Sequence, residues 1–177
     1  WAFRITRERD LAAITFFGEG ATAEGAWHEA IGFAGIHQLP VVFVCENNQY
    51  AISVPQAREV PVPDVAAKAA GYGMPGVVVD GNDLLAVYAA AREAMERARS
   101  GAGPTLLECK TYRLRPHSNA DDDRKYRSEE EVEQWRARDP IARLERYVLA
   151  RGFSSAADLA ELRAGIAAEA EQAIDEA

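Results

Sequence analysis

The chain has 177 residues, 48% hydrophobic and 27% charged, which suits one globular domain with a sizeable core. Its net charge of −8 argues against nucleic acid or an anionic membrane as partner, since both call for a basic face. No apolar run approaches the roughly 20 residues of a membrane span, and no signal peptide is legible.

The opening "WAFRITRERD" has no initiator Met and reads like the end of a helix, as expected of a fragment or processed piece of a longer protein. Leu11 to Phe17 is a short apolar run ended by glycine, which predicts a strand buried on both faces. From Ala23 to Ile36, Trp27, Ala30, Ile31 and Ala34 recur at helical spacing. Pro40 then leads into "VVFVCEN", a second buried strand. Strand, helix, strand at this spacing is a βαβ unit and implies a parallel sheet.

"SVPQAREVPVP" holds three prolines and predicts a loop without regular structure. "DVAAKAAGYG" predicts a short helix with Asp64 in its first turn and glycine at its end. "GVVVDG" is a third strand. Asn82 or Asp83 then caps a helix whose apolar face is Leu84, Val87, Tyr88, Ala91, Met95 and Ala98. "PTLLECKTYRL" is a fourth strand. Cys45 and Cys109 sit inside apolar strands without a partner at metal-site spacing, and read as buried thiols.

After Leu114 the character changes, and "RPHSNADDDRKYR" is a polar loop. Ser128 and Glu131 form a capping-box pattern at the start of the next helix. Asp139, Pro140 and Gly152 bracket another helix, and Leu159, Leu162, Ile166 and Ile174 give the tail helical periodicity. The expected organisation is an α/β domain over 1–114, truncated at its N-terminus, a loop over 115–127, and a helical region of the same domain over 128–177.

In an open parallel sheet, ligands bind where strands end at their carboxyl edge. Two such ends carry unusual polar groups: Gly18-Glu19-Gly20 after the first strand, and Asn47-Asn48-Gln49-Tyr50 after the second. A Mg²⁺ ion takes a few oxygens from protein and the rest from phosphates and water. Glu19, the amide of Asn48 and a nearby backbone carbonyl would supply three. The flanking glycines would let backbone approach a ligand closely, and the N-terminus of the following helix would favour a diphosphate. Each piece alone is an ordinary turn or helix cap. At successive strand ends they form a candidate metal–diphosphate site.

With those residues in view, "GEG…ENN" resembles the thiamine-diphosphate fingerprint, Gly-Asp-Gly followed further on by Asn-Asn. Beyond it, "NNQYAIS", "VDGNDLLAVYAAAREA" and "YRLRPHSNADDDRKYRSEEEVEQWRARDPI" resemble the alpha subunit of the decarboxylating component of 2-oxo acid dehydrogenase complexes. The glutamate in the fingerprint, "VDGNDLLAVY" and "HSNADDD" look most like the branched-chain enzymes, with pyruvate dehydrogenase alpha subunits as the alternative. The resemblance covers essentially the whole chain. It implies an α/β fold, a parallel sheet flanked by helices that binds thiamine diphosphate, with a C-terminal helical extension.

By that resemblance Glu19, Asn48 and the backbone carbonyl of Tyr50 match the Mg²⁺ ligands. Gly18, Gly20, Ala21 and Glu24 match positions lining the diphosphate and its metal, and Arg113 matches an arginine near the diphosphate. His117 matches the active-site histidine implicated in passing the acyl group to lipoamide. Ser118 matches a site phosphorylated in mitochondrial members. Arg124, Tyr126 and Arg127 would help to hold the loop. Glu46 departs from the pattern, standing where branched-chain relatives can carry an arginine that reaches the diphosphate.

The implied reaction is decarboxylation of a 2-oxo acid on thiamine diphosphate, then acyl transfer to the lipoyl domain of a partner acyltransferase. The implied assembly has two alpha and two beta subunits with the cofactor between them. The location would be cytoplasmic in a bacterium and the mitochondrial matrix in a eukaryote. The family's N-terminal half and part of its C-terminal extension look absent, so this chain alone is expected to be inactive. A non-catalytic piece retaining only fold and partner surface is the other reading.

Overall fold

The computed structural model describes Ala2 and residues 11–176. The helix end expected over 1–10 lies outside the described residues, Ala2 apart. The described chain divides into two compact units, with the division between Arg138 and Asp139.

The first unit is built on a four-stranded parallel sheet. Its strands are β1 (Ala13–Gly18), β2 (Val41–Asn47), β5 (Gly76–Asp80) and β6 (Thr105–Lys110), in spatial order β1-β2-β6-β5. A second ladder pairs the two-residue strands β3 (Tyr50–Ala51) and β4 (Val54–Pro55) antiparallel. One face of the main sheet carries Phe43, Cys45 and Leu106, packed under Trp27, Ile31 and Ala34 of α1 (Gly25–Ile36) and under Val65 and Ala69. The other face carries Val42, Val44, Leu107 and Cys109, packed under Ala94 and Ala98 of α3 (Leu84–Arg99). Helices on both faces of a parallel sheet are the architecture expected from strands that alternate with helical segments.

Several local expectations change. β1 is an edge strand, paired only with β2 among the described residues. Its outer side chains are exposed rather than buried on both faces, Phe16 by 59%. The proline-rich segment supplies β4, which pairs with β3 just before it, and one helical turn, α2 (Gln56–Glu59), because its prolines fall at the turn's edges and not inside it. Residues Val65–Tyr72 wind as a 3₁₀ helix closed by Gly73 at φ +69°, a left-handed stop that glycine adopts without strain. Asp83, not Asn82, caps α3 by accepting from the amides of Leu85 and Ala86. The buried stripe of α3 is Ala94 and Ala98 flanked by Val87, Ala90, Ala91 and Met95, which leaves Leu84 and Tyr88 exposed. The periodicity is satisfied by two adjacent stripes, and the smaller alanines let the helix approach the sheet.

Helix α4 (Glu129–Arg136) starts at Ser128, whose hydroxyl accepts from the Glu131 amide. The Glu131 carboxylate accepts from the Tyr50 hydroxyl at 3.0 Å, so a tertiary bond uses the group that the capping box needed.

The second unit is a helical pair. Asp139 caps α5 (Pro140–Ala150), Gly152 turns at φ +67°, and a Ser155–Asp158 capping box opens α6 (Ala156–Asp175). Arg163 pairs with Glu145 at 2.5 Å. Leu162, Ile166 and Ile174 keep their helical spacing but are exposed.

Candidate functional site

The register explains why the two polar strand ends meet. Gly18 of β1 lies opposite Glu46 of β2, and Asn47 of β2 opposite Lys110 of β6, so three parallel strands end at one edge. The chain leaves β1 directly into a 3₁₀ turn, Glu19–Ala23, and α1 begins only at Gly25. The helix therefore does not start at the glycine turn, as the sequence suggested. The tighter winding of the intervening turn folds the Glu19 side chain inward, where it is 1% exposed.

Glu19 Oε2 accepts from the Asn48 amide at 3.1 Å, which joins the two strand ends directly. Glu19 Oε1 is buried and has no hydrogen-bond partner among the described residues. Burial pushes the Glu19 carboxyl above its ordinary range, and the nearby Glu59 carboxylate pushes the same way. Hydrogen bonds from the backbone amides of Glu19 and Asn48, and the Arg113 charge, oppose them. A buried carboxylate oxygen without a partner is a costly arrangement that a bound cation would relieve.

The other expected ligands lie on the adjoining turn. Asn48 Oδ1 accepts from the Tyr50 amide at 3.1 Å, and Gln49 between them sits at φ +75°. The Tyr50 carbonyl accepts from Arg113 Nη1 at 3.2 Å. Both oxygens keep a second acceptor position, so this trio fits a hard cation held by an acid, an amide and a carbonyl. Arg113 also donates to the Ile52 carbonyl, at 2.5 Å, and to the Tyr126 hydroxyl, at 3.0 Å.

The two glycines differ. A Cβ on Gly20 would lie 2.7 Å from the Ala51 Cβ, and 3.4 Å from both Glu59 carboxylate oxygens, so close approach to β3 requires glycine there. A Cβ on Gly18 would meet nothing within 4 Å among the described residues. Ala21 is half-buried in the 3₁₀ turn. Glu24 is exposed at the N-cap of α1, where it makes no side-chain cap bond.

His117 and Ser118 are exposed in the 115–127 loop. The loop is tied down through Asp121, which accepts from the His117 amide at 2.8 Å and from the Tyr126 hydroxyl at 2.5 Å. Those two bonds, the Tyr126 one first, hold the Asp121 carboxyl below its usual range. Through Tyr126 and Arg113 the loop reaches the Tyr50 carbonyl, so His117 connects to the Glu19–Asn48 site by a chain of hydrogen bonds rather than by contact. Arg127 is buried, donates to Asp123 and to the Arg113 carbonyl, and lies over the Tyr50 and Tyr112 rings. Arg124 pairs with Asp122, two positions earlier, in solvent-exposed surroundings.

Glu46 is exposed and alternates to the face opposite Cys45 and Asn47, the α3 side, where its charge acts on Cys109. The acid therefore points away from Glu19. The two thiols are buried on opposite faces, and burial raises both, Cys109 to about 11.

Sequence reasoning missed several supporting groups. Lys68 donates to the Thr22 carbonyl and hydroxyl, at 3.0 and 2.8 Å, and the Thr22 hydroxyl donates to the Glu19 carbonyl at 2.8 Å. Glu108, 0% exposed in the middle of the sheet, binds Asn47. The signal for both was a lone charge in an apolar stretch, Lys68 in "VAAKAAG" and Glu108 in "TLLEC". Among the described residues, no group of three or more His, Cys, Asp or Glu could hold a metal. A cavity of about 510 Å³ lined by Tyr50, Gln56, Val60, Lys110, Glu131 and Trp135 lies beside the site.

The model of the dehydrogenase E1 component family matches residues 2–177. The chain is 51% identical over 148 residues to the 2-oxoisovalerate dehydrogenase subunit alpha of Bacillus subtilis, covering 84% of this chain and 45% of the relative. It is 52% identical over 148 residues to a 3-methyl-2-oxobutanoate dehydrogenase subunit alpha of Mycobacterium tuberculosis, covering 84% and 40%. The pyruvate dehydrogenase E1 component subunit alpha of Porphyra purpurea is 43% identical over 160 residues, covering 90% and 46%. The chain thus spans less than half the length of each of these relatives.

Proposed function

The chain belongs to the dehydrogenase E1 component family, and we propose that it is the cation–diphosphate portion of a branched-chain 2-oxo acid dehydrogenase alpha subunit. The observation that carries the site is the pairing of Glu19 Oε2 with the Asn48 amide while Glu19 Oε1 stays buried without a partner among the described residues. The substrate class rests on 51% and 52% identity to two proteins named for branched-chain 2-oxo acids, against 43% to one named for pyruvate.

Glu19, the Asn48 amide oxygen and the Tyr50 carbonyl would hold Mg²⁺, and through it the diphosphate of thiamine diphosphate. Arg113, already over the Tyr50 carbonyl, supplies positive charge on the same side. When bound, the thiamine ring system supplies the electron sink for loss of CO₂ from a 2-oxo acid. The chain's own work is electrostatic and positional: Glu19 balances the metal charge, the glycine turn sets its distance from β3, and the imidazole of His117 holds or moves a proton. A beta subunit would complete the site, and a lipoyl domain would collect the acyl group.

The test is to co-produce the complete gene product with a beta subunit from the same organism. Decarboxylation of branched-chain 2-oxo acids and of pyruvate is then followed with thiamine diphosphate and Mg²⁺. Turnover of branched-chain acids above pyruvate is expected. No turnover on any of them would refute the reading.

A further inference from the structure

We propose that Glu108 is a positioning residue for the cation site: its buried carboxylate sets the polarity of the Asn47 amide and so the shape of the turn that presents Asn48 and Tyr50. The proposal rests on the site reading given above. Glu108 stands on β6, between β2 and β5, opposite Cys45 and Val78, where an apolar residue would pack without cost. Instead the carboxylate takes three donors. Oε1 accepts from Asn47 Nδ2 at 2.6 Å and from Lys110 Nζ at 3.2 Å, and Oε2 accepts from the Ala66 amide at 2.7 Å.

A carboxylate can only accept, so the Asn47 amide must turn its Nδ2 toward Glu108. Gln56 Oε1, at 2.9 Å from the same nitrogen, reinforces that orientation, and Gln56 is itself held by the Pro63 carbonyl. Asn47 Oδ1 is then left facing the Gln49 amide, from which it accepts at 3.1 Å. That bond fastens Gln49 at φ +75°, a left-handed conformation disfavoured for a residue with a side chain. The Gln49 turn in turn aims the Asn48 amide at Glu19 Oε2 and is followed directly by Tyr50, whose amide donates to Asn48 Oδ1. A reversed Asn47 amide would oppose oxygen to Glu108 and nitrogen to the Gln49 N–H, and the turn would lose its clamp. Of the two asparagines, Asn47 works inward, under Glu108, and Asn48 faces the site.

The experiment measures Mg²⁺-dependent binding of thiamine diphosphate by calorimetry, on the complete gene product with its beta subunit, for wild type, E108Q, Q49G/E108Q and E19Q. A glutamine side chain in place of Glu108 can offer either end to Asn47. E108Q should therefore weaken the apparent Mg²⁺ affinity by about tenfold or more, the range seen when groups behind a metal's ligands are removed. Glycine in place of Gln49 adopts positive φ unaided, so Q49G/E108Q should return to within about threefold of wild type. If E108Q melts lower but binds with wild-type affinity, or if Q49G/E108Q folds and stays as weak as E108Q, Glu108 is merely structural and the proposal is overturned. Should E108Q alone fail to fold, the double variant decides by the same criterion. E19Q separates the two layers. Retained binding in E19Q overturns the site itself, and Glu108's role with it. Lost binding in E19Q with unchanged E108Q overturns only the role of Glu108.

Discussion

Replacing Glu19 by glutamine should stabilise the protein without cation and cripple it with cation. The Glu19 side chain is 1% exposed and one of its oxygens has no partner among the described residues. Glutamine keeps an acceptor for the Asn48 amide and leaves one neutral group unpaired in place of a charged one. The relief is about 1–2 kcal/mol, the margin between an unsatisfied charged and an unsatisfied neutral group. For a protein of this size or somewhat larger that corresponds to a melting temperature higher by about 3–6 °C in EDTA at pH 8.

The pH dependence has a definite sign. Glu19 has a raised folded-state pKa, so the folded chain keeps its proton to higher pH than the unfolded chain, whose ordinary value is 4.5. The stability tied to that proton is complete below 4.5 and lost as pH rises through the raised value. The advantage of E19Q should therefore be absent in acid and open fully above that value. With Mg²⁺ and thiamine diphosphate at a hundred times their dissociation constant, wild type should gain about 2.7 kcal/mol and overtake the variant. Thermal melts with EDTA and with both ligands, across pH, check all three statements. A variant that melts below wild type in EDTA, or gains as much from the ligands, would refute the reasoning.

Two further substitutions probe the frame of the site. Gly20→Ala places a Cβ 2.7 Å from Ala51 and should cost about 1–3 kcal/mol by overpacking, whereas Gly18→Ala, with nothing within 4 Å among the described residues, should stay within about 0.5 kcal/mol of wild type; urea midpoints distinguish them. Arg127→Met removes the guanidinium bonded to Asp123 and the Arg113 carbonyl and should cost about 2–3 kcal/mol; tryptic cleavage after Arg124 and Lys125, read by mass spectrometry, should accelerate as the 115–127 loop loosens.

The four strands and the common edge of their polar ends could be read in advance because a buried parallel strand is a continuous apolar run whose C-terminal end faces the ligand side. Helix α3 was legible as a helix but not in its facing stripe, since alanine and leucine both satisfy the period and only the sheet decides between them. The exposure of β1 depends on which strands flank it, a property of neighbours rather than of "AITFF". The 3₁₀ turn after Gly18 escaped because Glu19–Ala23 carries no cap or period, only a Thr22 hydroxyl that folds back on Glu19. The Asn47–Glu108 bond spans 61 positions, beyond the reach of any local pattern.

The contrast between two buried carboxylates separates support from ligand. Glu108 and Glu19 are equally withdrawn from water, at 0% and 1% exposure, Glu108 within the sheet and Glu19 just past the end of β1. Glu108 receives an amide side chain, a backbone amide and a lysine, so its charge is compensated within the chain. Glu19 receives only backbone amides, its own and that of Asn48, among the described residues, its Oε1 has no hydrogen-bond partner there, and Glu59 adds repulsion. Lys68 donates to the two oxygens of Thr22, and Arg113, whose charge favours the ionised Glu19, donates to the Tyr50 carbonyl. A fold that can satisfy one interior carboxylate with three donors has the means to satisfy another. Leaving Glu19 one donor short, beside an amide and a carbonyl with acceptor positions to spare, is the arrangement expected where the missing charge comes from a ligand.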